Sequence, residues 1–353
     1  MTTTIHDVAR AAGVSISTVS RALAGSAVVA PNTRDRVRRV SVELGYEPNR
    51  AARQLVTGQG QSIGLVVPDL ENSFYSSVTK GMQNRVRTEG LTAVIADTDE
   101  DVSREREVLA QLAAVVDRMI LASPRSSDED LLRLAERTSI VLVNRMLGDI
   151  PAVVGDNADG MRQALSHLLA LGHRRIAYAG GPATSWSDAV RRSGLATAAA
   201  GRDVEIVDLG AFRPGQAGGL AAADLALASG ASAVLAFNDQ LALGVLGRLA
   251  ERGVDVPGRI SVVGFDDVPV ARLLAPALTT VAVPAQRMGA VAVELLLGGR
   301  DGAGRDGACG SGRGRSGGAG PADAARRGGG VTAARVLPVE LQVRRSTAQA
   351  PVS

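Results

Sequence analysis

Residues 4–23 read TIHDVARAAGVSISTVSRAL and predict two short helices around a tight turn. Gly13 lies between the two helical segments and suits the positive φ that such a turn requires. Thr4 with Asp7 resembles a capping box, and Ser15 is the expected N-cap of the second helix. The apolar residues recur at helical spacing in both segments, at Ile5, Val8, Ala9 and Ala12, and then at Val19, Ala22 and Leu23.

A helix-turn-helix of this kind places its second helix in the major groove of DNA. A surface helical hairpin without DNA contact would show the same apolar pattern. The charge distribution favours the DNA-binding interpretation, since residues 1–60 hold eight Arg and four acidic residues, a net charge of +4. The whole chain carries +3, so positive charge is concentrated around this motif, as contact with phosphates requires.

Residues 4–58 resemble the DNA-binding headpiece of the lactose-repressor (LacI) family of bacterial transcription regulators. The headpiece resemblance rests on DVARAAGVSISTVSRAL, NTRDRVRRVSVELGY and PNRAARQL. It continues through the rest of the chain in the order typical of the family, with SIGLVVPDLENSFY, DNADG, HLLALGHRRIAYAGGP, AFNDQLALGVL, ISVVGFDD and PALTTVAVP. Several motifs in one order are more specific than any one of them.

The composition excludes several classes of protein. The 353 residues are enough for a small and a large domain, and 45% of them are hydrophobic. No apolar run approaches the ~20 residues that span a bilayer, and the start of the chain lacks a secretory signal. We therefore expect a cytoplasmic protein without membrane contact. Cys309 is the only Cys, which excludes an intrachain disulfide and a Cys-based zinc site. No cofactor motif is present.

Short apolar runs alternate with helical patterns after residue 61. They are typical of buried parallel strands and predict doubly wound α/β sheets; the runs are 62–67, 91–96, 117–122, 139–143, 175–179, 232–237 and 260–265. The resemblance implies two such subdomains, similar to periplasmic sugar-binding proteins. It implies three connections between them, near 156–158, near 281–284 and within 299–335.

These patterns divide the chain into four parts. The predicted parts are a three-helix headpiece at 1–46, a hinge at 47–60, an effector-binding and dimerisation domain at 61–345, and an insert at 299–333. Within the third part, the expected subdomains are 61–156 with 284–298 and 157–283 with 334–345. Fourteen of the thirty-three residues from 298 to 330 are Gly, which predicts a disordered linker rather than a nucleic-acid contact.

The resemblance assigns base reading to Ile16, Ser17 and Arg21. Arg21 can donate two hydrogen bonds to a guanine, although a contact to phosphate alone is the alternative. Phosphate contacts are expected from Thr18, Ser20, Thr33 and Arg34.

The hinge contributes Leu55, which the resemblance implies as a wedge in the minor groove. Packing of Leu55 on its own headpiece is the alternative. Ala30 stands where relatives have a Ser or Thr cap before Pro31, so Asn32 or Thr33 would have to cap the third helix.

A small-molecule effector is expected between the two subdomains, at the carboxyl ends of strands. The aligned positions are Phe74, Tyr75, Asn144, Arg145, Trp186, Arg191, Asn238 and Asp239. Arg and carboxylate groups can hydrogen-bond adjacent sugar hydroxyls, and Trp186 could stack on a sugar face or be an ordinary half-buried aromatic. For Asp156, Asn157 and Asp266, a structural turn is as plausible as ligand contact, and Phe212 is a weaker candidate. No catalytic set and no metal site is visible among the three scattered His.

The sequence therefore predicts a homodimeric regulator, a repressor of a pseudo-palindromic operator that a sugar releases. Within this class, a purine-type corepressor is the alternative effector. A sugar-binding module without DNA binding and an α/β enzyme are the rivals from other classes. The chain ends in RRSTAQAPVS without the Leu heptad of tetrameric relatives, so we expect dimers only.

Overall fold

The computed structural model describes residues 3–23, 28–46, 62–298 and 334–351. The predicted hinge at 47–60 with Leu55 and the predicted insert at 299–333 lie outside these residues. The chain forms two compact units, Met1–Gln61 and Ser62–Ser353.

The first unit is a bundle of three short helices, α1 (Ile5–Ala12), α2 (Ile16–Leu23) and α3 (Pro31–Glu43). Its core is apolar and drawn from all three helices, at Val8, Ala9, Ala12, Val19, Ala22, Val29 and Val37. The predicted apolar faces of the first two helices thus point inward, with Ile5 and Leu23 partly buried beside them.

The second unit contains two six-stranded sheets. Its first half comprises β1 (Ser62–Val67), α4 (Ser73–Thr88), β2 (Thr92–Asp97), α5 (Val102–Ala113), β3 (Arg118–Ala122), α6 (Asp128–Ala135), β4 (Ser139–Val143) and β5 (Ala152–Gly155). Two later segments complete it, α11 (Ala285–Gly298) and β11 (Ala334–Leu337). The strand order is β11-β5-β4-β3-β1-β2, and all the pairings are parallel.

The second half repeats this alternation. It comprises α7 (Asn157–Ala170), β6 (Arg175–Gly180), α8 (Trp186–Ala199), β7 (Glu205–Ala211), α9 (Gln216–Ala228), β8 (Ala233–Ala236), α10 (Asp239–Glu251), β9 (Ser261–Asp266), a 3₁₀ turn (Pro269–Arg272), β10 (Thr279–Ala282) and β12 (Glu340–Gln342). The order is β12-β10-β9-β8-β6-β7, and only β12 is antiparallel to its neighbour. The predicted α/β class with two doubly wound sheets is confirmed.

All seven predicted apolar runs contain strands, whose side chains lie mostly in the cores. The run at 91–96 is the exception: its strand, β2, lies at the sheet edge and is largely half-exposed. The strands β5, β7 and β10 were not predicted from the sequence.

One boundary requires correction. Residues 334–337 were expected in the second half, but β11 pairs in parallel with β5 of the first sheet, from Ala334 against Ala152 to Leu337 against Gly155. The third connection therefore lies between β11 and β12, and not within 299–335. The second half also extends past residue 345, because buried Ser346 donates to the Val262 carbonyl (2.6 Å) and accepts from the Thr279 amide (2.8 Å).

The helix that follows the second connection packs unusually close to its neighbour. A Cβ atom on Gly81 of α4 would lie 1.9 Å from the Gln286 carbonyl oxygen of α11, and one on Gly289 would lie 2.1 Å from that of Val78. Only glycine permits this backbone approach. These contacts fix α11, and with it the connection, against the first half.

Candidate nucleic-acid interface and binding cleft

The turn between α1 and α2 is built as the sequence predicts. Gly13 has φ of +60° in the left-handed region and closes α1. The Asp7 carboxylate accepts the Thr4 amide (3.0 Å) and hydroxyl (2.6 Å), and these hydrogen bonds lower the pKa of Asp7. Ser15 Oγ accepts the Thr18 amide (3.1 Å), which confirms Ser15 as the cap of α2. Each of the two helices is therefore capped at its start, and Gly13 closes the turn between them.

The side chains expected to contact DNA lie on the outer face of α2. Ile16 is 42% exposed, Ser17 and Arg21 are exposed, and Ser20 is half-buried. This face is opposite to Val19 and Ala22 in the core. Ser17 hydrogen-bonds to Ser15 (2.8 Å), as does Thr18 (2.8 Å). An isoleucine exposed beside an arginine and hydroxyl groups suits a surface that meets base edges and phosphates.

The start of α3 differs from the expectation that Asn32 or Thr33 caps it. The helix begins at Pro31, and Ala30 occupies the cap position without a side-chain hydrogen bond. The backbone substitutes in part, since the Thr33 and Arg34 amides both donate to the Ala30 carbonyl (3.0 Å each). The Arg34 guanidinium donates to the Val29 carbonyl (3.0 Å), so one of the expected phosphate contacts is already engaged within the loop.

In the second unit, the carboxyl ends of the two sheets face each other and define a cleft. Asn144 follows β4 in the first half, and its Nδ2 lies 3.4 Å from Ser187 Oγ in the second half. At the rim, the Arg213 guanidinium bonds to Asp99 Oδ1 (2.7 Å) across the same gap. These contacts hold the two halves close together.

Arg191 lies at the bottom of this cleft, almost fully buried. Its guanidinium stacks on Phe265 (3.6 Å to the ring centroid) and on Phe237 (4.8 Å). Nε donates to Asn157 Oδ1 (2.8 Å), another nitrogen donates to the Phe237 carbonyl, and the third lies 3.8 Å from Asp266 Oδ1. The two rings, the two hydrogen-bond acceptors and the nearby carboxylate hold the guanidinium plane in one orientation.

Asp266 is the acidic partner of Arg191 and was not among the residues assigned to the effector. It is 8% exposed, is the last residue of β9 and has φ of +120°. Among the described residues its carboxylate has no hydrogen-bond donor, only the more distant Arg191. Burial raises its pKa well above the ordinary value, and the Arg191 charge opposes this rise. A buried carboxylate without donors is the feature that a ligand hydroxyl would satisfy.

Asp239, a prime sequence candidate, lies deeper than expected. Oδ1 accepts the Thr280 hydroxyl (2.5 Å), and Oδ2 accepts the Val268 amide (2.9 Å), so both oxygens serve the protein. Burial raises its pKa to about 7. The adjacent Asn238 caps α10 by accepting the Leu241 amide (2.9 Å).

The three other candidates of the first half, Phe74, Tyr75 and Arg145, have different surroundings. Tyr75 reaches the cleft, and burial raises its pKa to about 12. Phe74 packs edge-on against it (5.2 Å between centroids, 78°) and belongs to the core of the first half. The Arg145 guanidinium donates to the Pro124 (2.7 Å) and Ser126 (2.8 Å) carbonyls, which ties the loop after β3.

The cleft wall contains a second ion pair that was not predicted from the sequence. Arg125 Nε bonds to Glu100 Oε2 (2.9 Å), and both side chains are buried. Glu105 accepts the Arg125 and Ser126 amides (2.8 Å each) and so holds the loop that carries Arg125. No local pattern marks residues 100 and 125 as partners.

Trp186 lies away from this constellation. It is half-buried and lines a groove of about 810 Å³ between α7 and α8, together with Val190, Thr197 and Arg162. These surroundings favour the second interpretation of Trp186, an ordinary half-buried aromatic residue. Phe212 packs against the core of the second half.

Within the described ranges, no cluster of His, Cys, Asp and Glu could hold a metal ion. No helix in the part of the chain that the structure describes is long and apolar enough to cross a membrane.

Comparisons with known proteins match both units of the chain. Residues 4–49 match the model described as bacterial regulatory proteins, lacI family, and residues 165–308 match a periplasmic binding protein-like domain. The HTH-type transcriptional regulator GalS of Salmonella typhimurium is 35% identical over 85% of this chain and 90% of its own length.

Solved structures show the same architecture. A Lac repressor dimer bound to operator and the anti-inducer ONPF has a TM-score of 0.81 and 27% identity, covering 99% of this chain and 100% of that one. A complex of the transcriptional regulator CelR with cellobiose has a TM-score of 0.66 and 29% identity, covering 98% and 99%. The relatives are transcriptional regulators, not enzymes. The chain belongs to the LacI family of bacterial DNA-binding transcription regulators.

Proposed function

We propose that this protein is a homodimeric repressor that binds a pseudo-palindromic operator and is released by a small sugar. The observation that carries the proposal is the presence in one chain of a capped, exposed α2 and of a cleft in which the Asp266 carboxylate lacks a hydrogen-bond donor from any residue that the structure describes. We further propose that it acts in the cytoplasm and by binding, without catalysis or a cofactor.

On the DNA side, Ile16, Ser17 and Arg21 would read base edges in the major groove. Thr18, Ser20, Thr33 and Arg34 would contact phosphates, and Leu55 would enter the minor groove at the operator centre. The exposure of the α2 face supports the first group. Arg34 would need to leave the Val29 carbonyl to do so.

On the effector side, Arg191 and Asp266 form the centre of the site, with Asn144, Asn238 and Tyr75 around them. A guanidinium and a carboxylate side by side can donate to and accept from neighbouring hydroxyls, which is the pattern of a sugar. Since both Asp239 oxygens and both terminal nitrogens of the Arg145 guanidinium bond to protein groups, we assign these two residues to loop positioning. We leave Phe74 and Trp186 outside the direct contacts.

The second half presents apolar surface suited to a second copy of the chain. Leu273 follows the 3₁₀ turn and is 83% exposed, and Val270 within the turn is 38% exposed. Burying these side chains between two protomers would remove them from water. The two headpieces would then meet two half-sites related by the dimer axis.

Regulation follows from linkage. A sugar that binds one relative orientation of the two halves better than another shifts the population toward it, and operator affinity changes by the same coupling free energy. An inducer prefers the orientation with weak operator affinity, and a corepressor prefers the other.

The test is selection of genomic DNA fragments by the purified full-length protein at moderate salt, with competitor DNA, followed by a panel of sugars. We expect one enriched pseudo-palindrome, and one sugar that removes the enrichment. Arg21→Ala should weaken the enrichment, and the variant should still bind the sugar. Asp266→Asn should retain the enrichment and lose its release.

Three results would contradict the proposal. Enrichment strengthened by a purine or another ligand would make the protein a corepressor-dependent regulator. Sugar binding without enrichment would make it a binding module. A cooperatively folded protein that binds neither DNA nor sugar would refute both parts.

A further inference from the structure

The three connections between the halves of the second unit meet at Gly155. A Cβ atom on Gly155 would lie 3.2 Å from Val339 Cγ1 in the third connection and 3.3 Å from Val283 Cγ1 in the second. The Asp156 amide donates to the Leu337 carbonyl (2.9 Å), which joins the first connection to the third. All three segments that must bend during any rotation of the halves therefore touch at one glycine.

One buried side chain joins this point to the cleft. Asn157 is 2% exposed, and its Nδ2 donates to the Gly155 carbonyl (3.0 Å). Its Oδ1 accepts Arg191 Nε (2.8 Å). The two ends of a single planar amide thus bond to the hinge and to the cleft, and neither bond can move without moving the other.

Asp266 extends this connection to the place where the ligand is expected. Among the described residues its carboxylate is paired only with Arg191 (3.8 Å), so a group that binds the carboxylate changes the field at the guanidinium. Its own carbonyl accepts the Val283 amide (3.5 Å) in the second connection. A change at Asp266 thereby reaches the second connection directly, and the first through Arg191 and Asn157.

We propose that Asn157 is a positioning residue that couples the cleft, through Arg191, to a hinge centred on Gly155. Asn157 does not contact the ligand; it sets the relative orientation of the two halves according to the state of Arg191 and Asp266. The inference rests on the proposed function for its role in regulation, while the hinge itself is a property of the second unit alone.

The test measures the orientation of the halves in the full-length chain without DNA or sugar. Glu129→Cys on α6 and Asp203→Cys in the second half, both at exposed sites, carry spin labels in a Cys309→Ser background. Double electron–electron resonance gives the distance distribution between the labels. Excess unlabelled chain ensures that each labelled pair lies within one protomer.

The variant is Asn157→Leu, and its matched control is Asn72→Leu. Asn72 is equally buried and caps α4 through the Phe74 amide (3.0 Å), at a distance in sequence from all three connections. We expect Asn157→Leu to shift or broaden the distance distribution. Asn72→Leu should lower the melting temperature and leave the distance distribution as it is in the parent. If Asn157→Leu does not fold, Asn157→Asp replaces it, since it keeps an acceptor for Arg191 and loses the donor to Gly155.

An unchanged distribution in a folded Asn157 variant overturns the proposal, whatever the melting temperature. The same shift in Asn72→Leu also overturns it, because loss of stability would then explain both. Since neither DNA nor sugar is present, failure here leaves the repressor function untouched, and failure of the DNA selection leaves the hinge untouched.

Discussion

Replacement of the buried Asp239 by Asn should remove a pH dependence of stability that the structure builds into the second half. Burial raises the pKa of Asp239 from 3.8 to about 7, helped by Asp267 and opposed by hydrogen bonds from Thr280 and Val268. A raised pKa means that the folded state binds a proton that the unfolded state releases. Stability is therefore full below about pH 4 and falls as the pH rises toward 7.

The free energy of unfolding falls by about 1.4 kcal/mol per pH unit while the folded state alone holds the proton. The total loss between pH 5 and pH 8 is about 2–3 kcal/mol. Asn at 239 carries no charge and can keep both contacts, by accepting the Val268 amide and donating to the Thr280 hydroxyl. We expect Asp239→Asn to gain stability relative to the parent by this amount across that range. Urea unfolding followed by Trp186 fluorescence measures it, because Trp186 is the only Trp and lies in the same half.

Asp224→Asn is the control for this experiment. The pKa of Asp224 is lowered by hydrogen bonds from Arg248 and Arg252, so its titration affects stability only in more acidic solution. Between pH 5 and pH 8, the free energy of unfolding of Asp224→Asn should therefore change with pH in the same way as that of the parent. Parallel curves for the parent and Asp239→Asn would refute the argument that burial of this carboxylate costs free energy.

Three further outcomes are expected. Ala30→Ser should add the missing cap of α3 and stabilise the first unit by about 1 kcal/mol, visible as slower amide hydrogen exchange in its helices; no change would mean that the backbone already satisfies the first turn. Gly219→Ala should lower the free energy of unfolding in urea by about 1–3 kcal/mol, because its Cβ would lie 2.4 Å from Gly244 Cα; a higher free energy of unfolding would contradict the close packing of α9 and α10. Arg21→Ala should cost about 1–3 kcal/mol on the selected operator and relax one base position, whereas a uniform loss on all sequences would indicate a phosphate contact.

Features determined by neighbours in sequence could be predicted well. The Gly13 turn, the Thr4–Asp7 pair and the Ser15 cap each depend on residues two to five positions apart, and each is present. The buried strands were recognisable because parallel strands covered on both faces are continuously apolar. The strand β7 was missed because it lies at a sheet edge, where the pattern is half-exposed and interrupted by Asp208.

The roles of the strand-end acids could not be predicted in the same way. Asp266 is the last residue of the buried strand β9, and Asp239 begins α10 shortly after the buried strand β8; these positions bring each to the cleft side of the sheet. Which of them remains without donors depends on Thr280 and Val268, which approach Asp239 from later segments of the fold. The same applies to the Arg125–Glu100 pair, whose members are joined only by the packing of two loops.

The late strands β11 and β12 have a consequence for biosynthesis. Five strands of the first sheet are translated by Gly155, yet the strand that covers β5 follows about 180 residues later. The next strand, β12, pairs with β10 and completes the second sheet only a few residues after β11. The nascent chain must therefore carry two sheets with open edges until the last strands emerge, and a ribosome that stalls before residue 334 leaves both edges exposed to pairing with another chain.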